Sequence, residues 1–120
     1  MKKYLFILAI SLFSSSAFSQ TAIPIDSIAS YMGKKVTICS KVFGSKYFEN
    51  SKRQPTFLNV GAAYPGNPLT VVVFGEDRKN FPEAPEKMYH QKEICVTGEL
   101  IEYKGKPEII VNSPEQIVIK

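Results

Sequence analysis

Five short runs of alternating apolar residues, each bounded by Gly, Pro or polar clusters, leave this chain few ways to fold. They are KVTICSKVF (35–43), PTFLNV (55–60), LTVVVFG (69–75), EICVTGELIEY (93–103) and PEIIVN (107–112). Each is rich in Val, Ile, Thr or Phe at a period of two, the pattern of a strand with one buried face. Ahead of them, TAIPIDSIASYMGKK reads as a short helix. Asp26 or Ser27 can cap it, Ile25, Ile28, Ala29 and Met32 share one face, and Gly33 ends it. Between the third and fourth runs lies EDRKNFPEAPEKMYHQK, where Pro82 and Pro85 predict a loop with at most a short helical turn.

Strands this rich in Val and Ile invite aggregation unless their edges are closed. Five strands, a connection between the third and fourth, and a tight hairpin between the fourth and fifth are the parts of a five-stranded Greek-key OB-fold barrel. The expected class is therefore all-β with a short N-terminal helix; an open sandwich of five or six strands is the competing arrangement. In the third strand both Leu69/Val71/Val73 and Thr70/Val72/Phe74 are apolar enough to face inward, and the pattern does not choose between them.

The first residues do not belong to that barrel. Lys2 and Lys3, the apolar run YLFILAISLF and the small-residue exit SSSAFSQ have the order of a secretory signal, with Ala17 and Ser19 placing the cut before Gln20. The apolar run is shorter than the ~20 residues of a membrane-spanning helix, so no stable span is expected after cleavage. No cysteine lies near the cut to take a lipid. Residues 1–19 are thus expected to leave as a signal peptide, residues 20–120 to form the single domain, and the product to be periplasmic or secreted. Cleavage removes Lys2 and Lys3, so 13 of the 15 basic residues remain against 11 acidic ones, a net of +2 rather than +4. Any preference for an anionic partner must then rest on where the charges sit.

An oxidising compartment makes Cys39 and Cys95 a candidate disulfide. In such a barrel the first strand pairs with the fourth, and both cysteines leave the core on the same side if Ile38, Ile94 and Val96 point inward. Directly opposed positions on neighbouring strands lie within reach of a bond; two buried free thiols remain the other outcome, because one sequence does not reveal the register. Two cysteines and His90 cannot supply the four ligands of a structural zinc, so neither a metal nor another cofactor is expected.

Catalysis finds little material. His90 stands alone in a polar stretch beside Tyr89, and Glu76–Asp77 are sequence neighbours whose side chains diverge. There is no phosphate-cradling glycine loop and no nucleophile elbow. The chain is expected not to be an enzyme.

Binding has more to work with. OB-folds meet ligands on the face of strands 2 and 3 and through loops 1–2 and 4–5. Loop 1–2, GSKYFENSKRQ (44–54), carries Lys46, Lys52 and Arg53 against Glu49; loop 4–5, YKGK (103–106), carries Lys104 and Lys106. Together they hold +4, leaving the rest of the domain at −2, and they add the aromatics Tyr47, Phe48 and Tyr103. Glu102 and Glu108 flank the second tip and offset its two lysines, and polar tips are also ordinary hairpin chemistry. On the second strand Phe57 and Asn59 share one face.

The runs GKKVTICSKV, TFLNVG, LTVVVFG, VTGELIEYKGKPEIIV and SPEQI resemble the OB-fold nucleic-acid-binding group, which includes anticodon-binding domains and modules of bacterial polymerases, helicases and exonucleases. The resemblance covers nearly all of residues 25–119 and is nearest to small exported bacterial proteins made of this domain alone. It implies that Phe57 lies outside and stacks on a base; a Phe57 packed inside the barrel is the other outcome. Two departures stand out. Gly61 and Ala62 occupy the place of the Arg-Asp pair of anticodon readers, and Ser40 stands where the first strand often has a bending glycine. An exported protein also does not meet cytoplasmic tRNA. The expected partner is single-stranded nucleic acid, held weakly and without strong sequence preference. The alternative is an envelope oligosaccharide or protein on the same face.

Overall fold

The computed structural model describes residues 22–120; the expected signal segment and the cut before Gln20 lie outside the described residues. The strands are β1 (Ala22–Ile23), β2 (Lys35–Tyr47), β3 (Thr56–Val60), β4 (Leu69–Val73), β5 (Glu93–Glu99), β6 (Ile101–Tyr103), β7 (Lys106–Ile110) and β8 (Ile117–Ile119). All five expected runs are strands. The fourth is broken at Leu100, and the last apolar residues add β8. The sheet runs β6-β7-β4-β3-β2-β5-β8, with β1 alongside β2. Because β5 and β6 are two halves of one run, the sheet path begins and nearly ends on the same segment, and the sheet curls into a barrel. β2, β3 and β4 form an antiparallel meander, β2 pairs with β5, and β4 lies parallel to β7. This is the OB-fold arrangement.

Alternation fills the interior. Val36, Ile38 and Val42 from β2, Leu58 and Val60 from β3, Ile94 and Val96 from β5, and Ile109 from β7 are all buried. On β4 the inward set is Leu69, Val71 and Val73. Two features let a single sheet bend this far. A register shift in β2 between Val42 and Gly44 marks a bulge, which adds local twist; the bend lies there and not at Ser40. On β5, a Cβ at Gly98 would come within 2.5 Å of Ile109 Cγ2, so the missing side chain lets β7 close over β5.

Short elements plug the two ends. Residues Ile25–Tyr31 form a 3-10 helix with Pro24 at its N-cap, and Ile28 is its buried residue. Asp26 and Ser27 lie inside this helix rather than capping it, because Pro24 already supplies the extended residue at the start. Gly33 ends the turn at φ 83°, and its N–H bonds Leu100 O at 2.8 Å. At the other end, Gly75–Asn80 is a 3-10 helix and Pro85–Met88 a single α-turn, α1. Pro85 sits in the first turn of α1, where its missing N–H costs nothing, so it starts the turn. This segment carries Phe81 and Tyr89 into the core, edge to face at 6.3 Å between ring centres. The Tyr89 hydroxyl is buried without a hydrogen-bond partner among the described residues, and burial pushes the phenol pKa up.

Cys39 stands directly opposite Cys95 across the β2–β5 ladder, and the two are joined in a disulfide. Both leave the core on the outer side, as Ile38, Ile94 and Val96 point inward.

Candidate functional site

Strand register lays out the outer face of the barrel row by row. Lys46 opposes Phe57, Phe57 opposes Val72, and Val72 opposes Ile110. The adjacent row is Gly44, Asn59, Thr70, Glu108 and Ile101. Phe57 and Asn59 therefore share the outer face, with Phe57 near its centre. Val72 is only 2% exposed yet stands apart from the interior cluster. It is covered from outside by the same neighbours that surround Phe57, which gives this face an apolar floor.

Two hollows meet at Phe57. One, of about 330 Å³, is lined by Lys52, Arg53, Pro55, Phe57, Val72, Phe74, Ile101, Tyr103, Glu108 and Ile110. The other, of about 530 Å³, is lined by Gly44, Ser45, Lys46, Phe48, Phe57, Asn59 and Tyr64. Phe48 packs on Phe57 at 5.1 Å between ring centres, tilted by 57°. The two expected binding loops stand at opposite ends of the face: residues 48–55 adjoin the Thr56 end of β3, and the β6–β7 tip adjoins the Leu69 end of β4. Lys52 and Arg53 from one and Tyr103 from the other still reach the same hollow. β2 is longer than its alternating run suggested, so Lys46 is a strand residue rather than part of the loop.

The cations differ in how free they are. Arg53 stacks over Phe74 at 3.7 Å and pairs with Glu76 at 2.7 Å, both partners being more than half exposed. Lys46 lies 5.0 Å from the centre of the Phe48 ring, and Lys104 lies 5.3 Å from that of Tyr103. Lys106 Nζ donates to Pro65 O at 3.3 Å, tying the hairpin tip to residues 61–68. Glu108 faces the floor of the first hollow, and burial pushes its carboxyl above the ordinary range.

Tyr47 is not on this face. It opposes Thr56, whose side chain points inward, and its ring lies under the Arg78 guanidinium at 3.5 Å. Arg78 grips Glu86 through two hydrogen bonds of 2.7 and 3.2 Å and also donates to the fully buried Thr56 hydroxyl. Burial alone would raise the Glu86 pKa. The bonds from Arg78 and the backbone, with the charges of Arg78 and Lys87, outweigh it and leave the carboxyl below its usual value. This latch holds α1 against β2 and β3. No periodicity announced it, since its members are polar residues scattered over four elements. Tyr64 was also missed; residues 61–68, GAAYPGNP, look like a plain turn. His90 is exposed, and Glu76 is engaged by Arg53. Among the described residues, no helix is long and apolar enough to cross a membrane.

No family model matches the chain, and no curated protein matches it. Solved structures do resemble it. The asparaginyl-tRNA synthetase of Pyrococcus horikoshii superposes with a TM-score of 0.55 at 15% identity, over 83% of this chain and 23% of that one. The aspartyl-tRNA synthetase of Entamoeba histolytica gives 0.56 at 14% identity, over 86% of this chain and 22% of that one. The shared feature is the fold. This chain spans less than a quarter of either enzyme.

Proposed function

We propose that this chain is an exported, non-catalytic OB-fold domain that binds single-stranded nucleic acid weakly and with little sequence preference. The observation that carries the reading is Phe57. It stands half-buried at the centre of the outer face, over the apolar floor of Val72 and Ile110, with Phe48, Tyr64 and Tyr103 around it, Lys46, Lys52 and Arg53 at the rim, and Lys104 beside Tyr103. A flat aromatic on a floor ringed by cations suits stacked bases on a phosphate backbone, and such stacking tolerates any base because every base has a π face. The tRNA synthetases that share the fold are consistent with a nucleic-acid ligand and do not name one. Gly61 and Ala62 offer no polar side chain to read a base, which fits weak sequence preference.

An envelope oligosaccharide or protein could use the same aromatics, and salt separates the cases. Oligo-dT affinity should fall linearly in log salt, with a slope of roughly −0.7 per phosphate contacted. Affinity for a neutral glycan should hardly move. A protein that ignores oligo-dT and single-stranded RNA at low salt but takes a glycan or an envelope protein would overturn the nucleic-acid reading.

A further inference from the structure

Tyr64 is 74% exposed, more than any other large apolar or aromatic side chain described, yet the loop that carries it is tied down on every side. Asn67 Nδ2 donates to Leu69 O and to Thr70 Oγ1, both at 2.9 Å. Gly66 N–H bonds Ala63 O at 3.0 Å, and Lys106 reaches across from the hairpin tip to Pro65 O. The loop root is just as tight: a Cβ at Gly61 would fall 2.6 Å from Ile25 Cδ1 and 2.7 Å from Pro68 Cγ. A braced loop that offers an aromatic ring to solvent loses little conformational entropy when a ligand covers that ring.

The ring borders the larger hollow, whose other walls are Phe57, Phe48, Lys46 and Asn59. Gly44 directly opposes Asn59 and bears no side chain, and the Asn59 amide nitrogen lies 3.4 Å from where its Cβ would stand. Asn67 and Asn80 give their amide N–H groups to protein acceptors. Among the described residues the half-buried Asn59 amide has no such partner. It offers both a donor and an acceptor into a hollow walled by aromatic rings, with an ammonium at the edge.

We propose that this hollow is a second base subsite, beside the one on Phe57. In it a base stacks on Tyr64, its polar edge meets the Asn59 amide, and the adjoining phosphate lies near Lys46. The subsite rests on the nucleic-acid reading above. It extends the footprint from the central ring toward residues 61–68, an edge that loops 1–2 and 4–5 alone would not define. Asn carries one acceptor and an NH₂ donor, which can pair with an edge of each of the common bases, so the subsite takes a base without choosing among them.

Replacing Tyr64 is safe for the fold, since the ring is exposed and lies outside the core. The test uses oligo-dT and an abasic oligonucleotide of the same length. Tyr64→Ala should weaken oligo-dT binding by about tenfold, within the range of one lost base stack, and leave abasic binding unchanged. The chain has no tryptophan, so Tyr64→Trp adds a single reporter; it should keep the affinity, and oligo-dT should quench its emission saturably while the abasic strand does not. Equal loss on both strands, no loss on either, or an unquenched tryptophan would overturn the subsite. If Phe57→Ala still weakens oligo-dT binding in that case, the central reading survives. If wild-type protein binds neither strand, both readings fall together.

Discussion

Opening the Cys39–Cys95 bond should cost this domain a large part of its stability. The bridge joins residues 56 apart in sequence, and the chain-entropy model assigns such a loop a stabilisation of about 4 kcal/mol, by restricting the unfolded chain. Domains of this size have ~5–15 kcal/mol in all. At ~4–8 °C per kcal/mol, the expected fall in melting temperature is about 15–30 °C. The location makes the experiment clean. Both cysteines lie on the outer side of the barrel, outside the interior cluster, so replacing them removes a crosslink without opening a core cavity. The β2–β5 ladder around them, from Lys35↔Glu99 to Lys41↔Glu93, keeps its pairing in the native state. The assay is thermal unfolding of the oxidised protein, of the same protein under reductant, and of the Cys39→Ser/Cys95→Ser variant. The last two should melt together, well below the first. A fall of less than about 5 °C would refute the reasoning, since it corresponds to ~1 kcal/mol or less and means that the crosslink hardly restricts the unfolded chain.

Three further outcomes follow from particular groups. Arg78→Ala should destabilise the domain by roughly 3 kcal/mol, because it strands the Glu86 carboxylate and the buried Thr56 hydroxyl together; denaturant melts report it. Since the folded pKa of Glu86 lies below the ordinary carboxyl value, its stabilising contribution is present above that ordinary value and is lost as pH falls through the lower folded one, a sensitivity that Arg78→Ala should erase. Glu108 runs the other way, its folded pKa being raised by burial: stability from its neutral form is lost as pH rises through the raised value. Glu108→Gln should therefore melt higher than wild type at neutral pH, with the gap closing on acidification below the ordinary carboxyl value; a gap that persists in acid would contradict the linkage. Protein recovered from an envelope fraction should begin at Gln20 by mass spectrometry, and an intact Met1 there would end the export proposal.

Most of the barrel was legible because period-two alternation reports burial directly: Val36/Ile38, Leu58/Val60 and Ile94/Val96 each name their own inward face. β4 was not, since Val72 is apolar for a different reason. It is buried from the outside, under the side chains around Phe57, and alternation cannot distinguish two buried faces. The bulge at Val42/Gly44 was hidden for a similar cause, being a property of register between strands. Strand parity and loop position were enough to bring Phe57, Asn59, Lys52, Arg53 and Tyr103 to the outer hollows, where they stand. Tyr47 was expected in a loop: β2 continues past residue 43 to include it, so Lys46 faces outward and Tyr47 turns in toward Thr56 and Arg78. Lys106 shows the limit of counting charges in a loop. Its ammonium holds Pro65 O, and the hairpin tip that looked like a ligand clamp is partly a brace for Tyr64.

The most direct test of a nucleic-acid face on this barrel pairs two variants in one salt titration against oligo-dT. Replacing Lys52, Arg53, Lys104 and Lys106 with alanine should flatten the log–log salt slope by about 0.7 for each cation that contacts a phosphate. Most of the change should come from Lys52 and Lys104, because Arg53 is paired with Glu76 and Lys106 with Pro65. Phe57→Ala should weaken binding by ~1–3 kcal/mol with the slope unchanged, since losing a stacked base releases no counterions. Wild-type affinity and slope in both variants, with the fold intact, would contradict the account.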